Sequence, residues 1–389
     1  MSFGILKSIF GGGMKPTAPA AAANSFPSGR GFIAFLANVD EIYFLVPDDA
    51  VEAEQASLRL RVGLPARELA RRVPVCLVPV RYIEHDPTLA ELGVVRAIVV
   101  AKLPVRLLSG EPGLAAALAD WVEAMARKHR VVADFCDDLA AAAAMYSLPA
   151  LAEFQHRLLR ACPVTVPSAA LRERLAADAG HDISIIEDPY ESAAAGEPRF
   201  NPGPTLRCVW FGVFGPPLRA FIEAQFTGIA RRLSARPIEL AFVTHASQED
   251  LVREMGIALR EAHPYFSLRF VAWSLEATAR ELKQADLVVL PQDAGTDWGR
   301  VKSHNRLVEA IRAGRFAVVS PIPAYLELEN YAWVGEDLAA GVEWALEHPD
   351  EVRNRLVAGQ AYVADRFAPA RIGQQWAKVL GVSEAAVSG

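Results

Sequence analysis

Short β-branched apolar runs alternate with stretches at helical spacing along nearly the whole chain, and this alternation leaves few folds open. Strands are expected at Phe32–Leu36, Glu41–Val46, Val75–Val80, Ala97–Ala101, Val131–Phe135, around Thr165–Pro167 and at Ile183–Ile186. The series resumes at Leu206–Phe211, Ile238–Val243, Leu268–Val271, Leu287–Leu290 and Ala317–Val319. Between them lie helical patterns such as Pro112–Arg130, Leu148–Arg160, Leu218–Ser234, Gln248–Ala262 and Ser303–Ala313. Strand and helix in strict alternation predict an α/β protein with mostly parallel, doubly wound sheets. The series breaks once, at Ser192–Pro204, where polar, Gly, Pro and Ala residues support no regular element and read as a linker. A chain of 389 residues is long for one domain, so two tandem α/β units are expected, followed by a last helix at Ala368–Leu380.

Composition narrows the classes of function. With 52% hydrophobic and 22% charged residues the chain can bury two cores, which excludes global disorder. A net charge of -6 argues against a nucleic-acid-binding body. Cys76, Cys136, Cys162 and Cys208 are widely separated and form no CxxC pair, so they read as small buried side chains in a reducing compartment. No apolar run approaches the ~20 residues that span a bilayer. Residues 1–24 read as a flexible leader. In it Phe3, Ile5, Leu6, Ile9 and Phe10 could make an amphipathic membrane contact. The expected location is therefore cytoplasmic, with peripheral attachment at the inner face of the membrane as the alternative.

The segment from Lys302 to Leu326 concentrates the chemistry. A strand ends at Leu290-Pro291, a polar loop follows, a helix carries Glu309 among Leu307, Val308 and Ile311, Gly314 closes it, and a second strand begins at Phe316. Ligands of α/β proteins sit at the carboxyl ends of parallel strands, where helix N-termini offer free N–H groups. Lys302, Ser303 and Asn305 therefore suit a diphosphate, and Trp298 could stack on a base or sugar. Gly212 and Gly215 frame a loop after another strand, Arg219 follows as a phosphate partner, and Thr244 and His245 end the next strand. Asp137 and Asp138 follow Val131–Phe135. They could orient an acceptor hydroxyl, act as a base or hold a divalent cation, or Asp138 could simply cap the Ala-rich helix after it.

Taken in order, Thr165-Val166-Pro167-Ser168, Ile185-Ile186-Glu187-Asp188-Pro189-Tyr190-Glu191, Trp210-Phe211-Gly212, Ala285–Pro291 and Asn305–Pro321 resemble the GT-B glycosyltransferases of the family 4 type. The resemblance implies two Rossmann-like domains facing across a cleft: an acceptor-binding domain over 25–197, a nucleotide-sugar-binding domain over 198–367, and a last helix, 368–389 with its tail, crossing back. It implies transfer of a sugar to a glycan, glycolipid or protein acceptor, usually with retention, with no cofactor and no bound metal. Glu309 matches the glutamate that holds the ribose hydroxyls. Lys302 is then the charge that stabilises the leaving diphosphate. The family's other glutamate, eight positions earlier, is replaced here by Val301. A nucleotide-sugar epimerase of the same fold and a catalytically inactive GT-B scaffold remain as alternatives.

Overall fold

The structure, a computed structural model, describes residues 41–47, 55–80, 95–101 and 112–382. The expected leader, the strand Phe32–Leu36 and the turn at Asn38-Val39-Asp40 lie outside the described residues. Two compact units divide the chain. Among the described residues one is continuous from Tyr190 to Ala368, and the other joins those from Glu41 to Pro189 with Pro369–Val382. The division falls at Pro189/Tyr190 rather than at the expected 197/198.

Among the described residues of the amino-terminal unit six strands pair in parallel: β1 Glu41–Val46, β2 Val75–Pro79, β3 Val95–Val100, β4 Val131–Asp134, β5 Val164–Val166 and β6 Ile183–Ile185, in the order β2-β1-β3-β4-β5-β6. Helices cover such sheets, so β4 and β5 are buried along their whole length. Between β1 and β2 lies one helical run, Ala56–Leu58 and Leu64–Leu69 joined through a π-helical turn, Arg59–Gly63. That turn delivers Arg61 into the interior, where it is 1% exposed. Its guanidinium meets Asp134 at 2.5 and 3.1 Å and Asp188 at 3.3 Å, and it also donates to the Ile186 carbonyl. The chain's last helix, Pro369–Val379, packs on Leu64–Leu69 and sends Trp376 into the core beside Phe44. Their approach is close: a Cβ at Gly373 would stand 2.5 Å from the Glu68 Cβ.

The carboxy-terminal unit repeats the plan with β7 Leu206–Phe211, β8 Ile238–Thr244, β9 Phe266–Ala272, β10 Leu287–Leu290, β11 Phe316–Val319 and β12 Trp333–Val334, all parallel, in the order β12-β11-β10-β7-β8-β9. The chain moves outward from β7 to β9, then returns to lay β10 against the other side of β7. The strand order therefore reverses between β7 and β10, and the carboxyl ends of those two strands border a switch-point crevice. The segment expected to be a linker has no regular structure, yet it is held to this unit. Gly196 N–H donates to the Arg312 carbonyl, Arg199 N–H to the Gly314 carbonyl, and Arg315 to the Glu197 carbonyl. Gly314, at φ 70°, must be glycine, because a Cβ there would meet the Glu197 carbonyl oxygen. Among the described residues no helix is long and apolar enough to cross a membrane.

Candidate functional site

The carboxyl ends of β7, β8, β10 and β11 bring most of the expected donor residues to one edge of the second sheet. Gly212 leaves β7 at φ 152°, a conformation that side chains rarely adopt. The Thr244 hydroxyl, fully buried at the end of β8, donates to the Gly212 carbonyl at 2.9 Å and fixes the loop. Gly215 stands at the N-cap of Pro216–Arg232 with extended backbone, so its conformation does not demand glycine. Pro216 and Pro217 remove two of the N–H groups that such a helix start normally offers an anion. Arg219, expected as a phosphate partner, pairs with Glu254 at 2.6 Å and Glu223 at 3.4 Å. His245 caps the turn Ala246–Gln248, with its Nδ1 2.9 Å from the Ser247 hydroxyl.

After β10 the loop is built by its own side chains. Thr296 caps the short helix Asp297–Arg300, and Asp293 Oδ1 accepts from Gly295 N–H. Lys302 Nζ lies 3.4 Å from the centre of the Trp298 ring, so the two expected ligand contacts first contact each other. Val301 is buried, with 5% exposure. The next helix is Asn305–Arg312, with His304 at its N-cap, so Ser303, the first residue of the expected helix, falls just outside it.

Arg306 was not among the expected donor contacts. It spans the switch point. Its Nη1 reaches the Phe211 carbonyl at the end of β7 (3.5 Å), and its Nη2 donates to Gln292 Oε1 after β10 (2.6 Å). Gln292 in turn is anchored by its N–H on the Ser320 hydroxyl after β11, at 2.9 Å. Gly212 makes room for this span, since a Cβ there would stand 3.1 Å from Arg306 Nη1. The helix carries no acidic residue in its first turn. A cation at the positive end of a helix opposes the macrodipole. That conflict was the legible signal: Lys302 and Arg306 flank a helix start that an anion would relieve.

Glu309 projects from the same helix and is half-buried. Oε1 accepts from Glu191 N–H at 2.5 Å and Oε2 from the Ser192 hydroxyl at 2.6 Å. Burial pushes its carboxyl up, and the bonds from Ser192 and Glu191 oppose that rise.

His304 was not anticipated as part of a network. It is buried, with Nε2 3.2 Å from Glu327 Oε2 but not aligned as a hydrogen bond, and Arg366 donates to the same oxygen at 2.5 Å. Contact with His304 first, and with Arg366, holds the Glu327 carboxyl at about 2, down from 4.5. A depressed carboxylate stabilises the fold above its unfolded value, and that contribution is lost as pH falls from 4.5 toward about 2. Thermal midpoints of the native protein and Glu327→Gln are therefore expected to differ at neutral pH and converge toward pH 2. Parallel curves would assign the difference to something other than this pair. The difference is small, because Glu327 is a third exposed and screened by water.

In the amino-terminal unit the two aspartates diverge. Asp138 is 1% exposed and caps Leu139–Tyr146, accepting from Ala140 N–H (3.0 Å), Ala141 N–H (3.2 Å), Gln155 Nε2 (3.1 Å) and Arg174 Nε (2.8 Å). A carboxylate so engaged is a structural cap, the alternative reading offered for this residue. Asp137 lines a small cavity past the ends of β3 and β4 with Cys136, Phe135 and Ala101. Among the described residues no group of three or more His, Cys, Asp and Glu side chains is placed to hold a metal ion.

The fold has relatives among solved structures. HepE of Anabaena in complex with UDP-glucose superposes with a TM-score of 0.60 at 15% identity, covering 88% of this chain and 100% of that one. An E. coli trehalose-6-phosphate structure bound with UDP-2-fluoro glucose gives 0.58 at 9% identity, covering 87% of this chain and 98% of that one. A glycosyltransferase from Rickettsia africae gives 0.52 at 12% identity, covering 89% and 100%. With its two parallel, doubly wound sheets, the chain has the two-domain Rossmann-like architecture named GT-B. No protein-family model matches the chain, and no curated protein matches it.

Proposed function

We propose that the protein is a glycosyltransferase that moves a sugar from a nucleotide-sugar donor to a glycan, glycolipid or protein acceptor, with retention at the transferred carbon. The observation that carries this reading is the pair of cations, Lys302 and Arg306, at the start of Asn305–Arg312 beside the switch-point crevice. In this reading the donor diphosphate lies over that helix start. Arg306 uses two of its five N–H groups on Phe211 and Gln292 and offers the others to phosphate oxygens. Negative charge grows on the diphosphate as the glycosidic bond breaks, and cations fixed beforehand lower that barrier. Gly212 lets the backbone approach the phosphates, Trp298 borders the sugar or base, and Glu309 accepts from the ribose hydroxyls. Asp137, at the carboxyl end of β4, orients the acceptor hydroxyl. The UDP-sugar complexes of HepE and of the E. coli structure support this reading at the level of a shared fold.

Arg306→Gln is expected to weaken nucleoside diphosphate binding by about 1.5–3 kcal/mol, the worth of hydrogen bonds to charged groups. Glu309→Ala is expected to weaken it by about 1–3 kcal/mol through the unmet hydroxyls. Calorimetric titration with UDP, ADP and GDP checks both. Unchanged affinity in Arg306→Gln would remove the crevice as the donor site. A nucleotide-binding scaffold without turnover is the second reading, favoured by the apolar, buried Val301 at the position of the family's other glutamate. Binding without transfer or hydrolysis of any nucleotide-sugar would select it.

A further inference from the structure

We propose that the chain's own Glu191–Ser192 segment occupies the ribose seat on Glu309, so that nucleotide binding exchanges the ribose diol for this segment and releases it. The inference rests on the donor site proposed above. A vicinal diol would place one O–H donor on each oxygen of a carboxylate. In the structure Glu191 N–H and the Ser192 O–H do just that, at 2.5 and 2.6 Å. The two sets of donors compete for the same pair of oxygens. Glu309, Glu191 and Ser192 are each partly exposed, so the exchange is open to a ligand from solvent.

The segment is also built to leave locally. Upstream, Tyr190 N–H is fixed on the Phe367 carbonyl at 3.1 Å. Downstream, Gly196 N–H is fixed on the Arg312 carbonyl at 2.9 Å, in contact so close that a Cβ would meet the Ala313 carbonyl oxygen. Between these anchors Ala193, Ala194 and Ala195 are exposed and bring no apolar burial to lose. Release therefore disturbs a few residues and leaves both anchors intact. Donor affinity is lowered by the fraction of molecules in which the segment is seated, since a ligand binds only the open form.

Ser192→Ala removes the hydroxyl donor and leaves the backbone donors of Glu191 and Ser192. It is expected to tighten UDP binding roughly tenfold, the effect of one hydrogen bond to a charged group. Ser192→Thr keeps the hydroxyl and is expected to bind as the native protein does. Saturating UDP is expected to speed hydrogen exchange at the Glu191 amide. A diol-free probe, 2′,3′-dideoxy-UDP, is expected to bind the native protein and Ser192→Ala alike and to leave that amide protected. The inference is overturned if UDP binds Ser192→Ala no more tightly than the native protein, if UDP slows exchange at Glu191, or if the dideoxy probe gains as much as UDP from the substitution. Failure of UDP, ADP and GDP alike to bind the native protein would remove the donor-site reading and this inference with it. Binding with no effect of Ser192→Ala would remove the inference alone.

Discussion

Replacing Arg61 with methionine is expected to lower the stability of the amino-terminal unit by about 3–5 kcal/mol, because it strips the counter-charge from two buried carboxylates. The guanidinium is 1% exposed, and the Asp134 and Asp188 side chains are 0% and 5% exposed. Opposite charge next to it raises the Arg61 pKa despite burial, so the guanidinium stays charged at any pH at which the protein folds. Asp134 retains one partner without the arginine, the Thr165 hydroxyl at 2.7 Å, which does not neutralise it. The loss should be specific to the missing charge. Arg61→Met combined with Asp134→Asn is therefore expected to cost less than the sum of the single changes. Hydrogen exchange at β4 amides, read against β10 amides as an internal reference, measures the effect in one unit at a time. Equal loss in both units would show that the triad is not local.

Trp376→Ala is the second large effect, again about 3–5 kcal/mol, the usual result of emptying a buried tryptophan site. The ring is fully buried, meets Phe44 edge-on at 5.9 Å, and lies 5.5 Å from the Arg61 guanidinium. Its loss opens a cavity bordered by β1 and by the helix Leu64–Leu69. Although Trp376 follows the carboxy-terminal unit in sequence, β1 and β3 amides are expected to lose protection, and β7 and β10 amides to keep theirs. Trp376→Phe should recover most of the stability. It keeps an aromatic ring and also removes the indole N–H, which has no hydrogen-bond partner among the described residues. Because Trp376 and Arg61 touch, their effects should not add.

The parallel sheets were legible because wholly buried strands such as Leu287–Leu290 and Phe316–Val319 announce themselves as unbroken apolar runs. So was the cap at Asp138, a short acidic side chain ahead of an alanine run. Arg61 was not legible. Its partners lie 73 and 127 residues away, and a lone arginine in a helical pattern reads as surface. The polar segment after Tyr190 reads as a linker by composition, but its backbone groups are met by Arg312, Arg315 and Gly314 instead of a strand neighbour. Short elements such as Pro323–Leu326 and Trp333–Val334 hold too few residues to show a period. At the proposed site, Glu309 was expected through resemblance. Arg306 could have been found from physics alone, as a cation on the wrong end of a helix.

The last helix has a consequence for the order in which the protein assembles. During synthesis a first domain ordinarily folds while the next is still being made. Here the first domain lacks Trp376 until the ribosome has passed the whole of the second, roughly 10–35 s later at typical elongation rates. The second domain, continuous from Tyr190 to Ala368, has every piece of its core in hand sooner. The nascent chain therefore completes its later half before its earlier one, and the unfinished amino-terminal sheet is the surface a chaperone would have to shield.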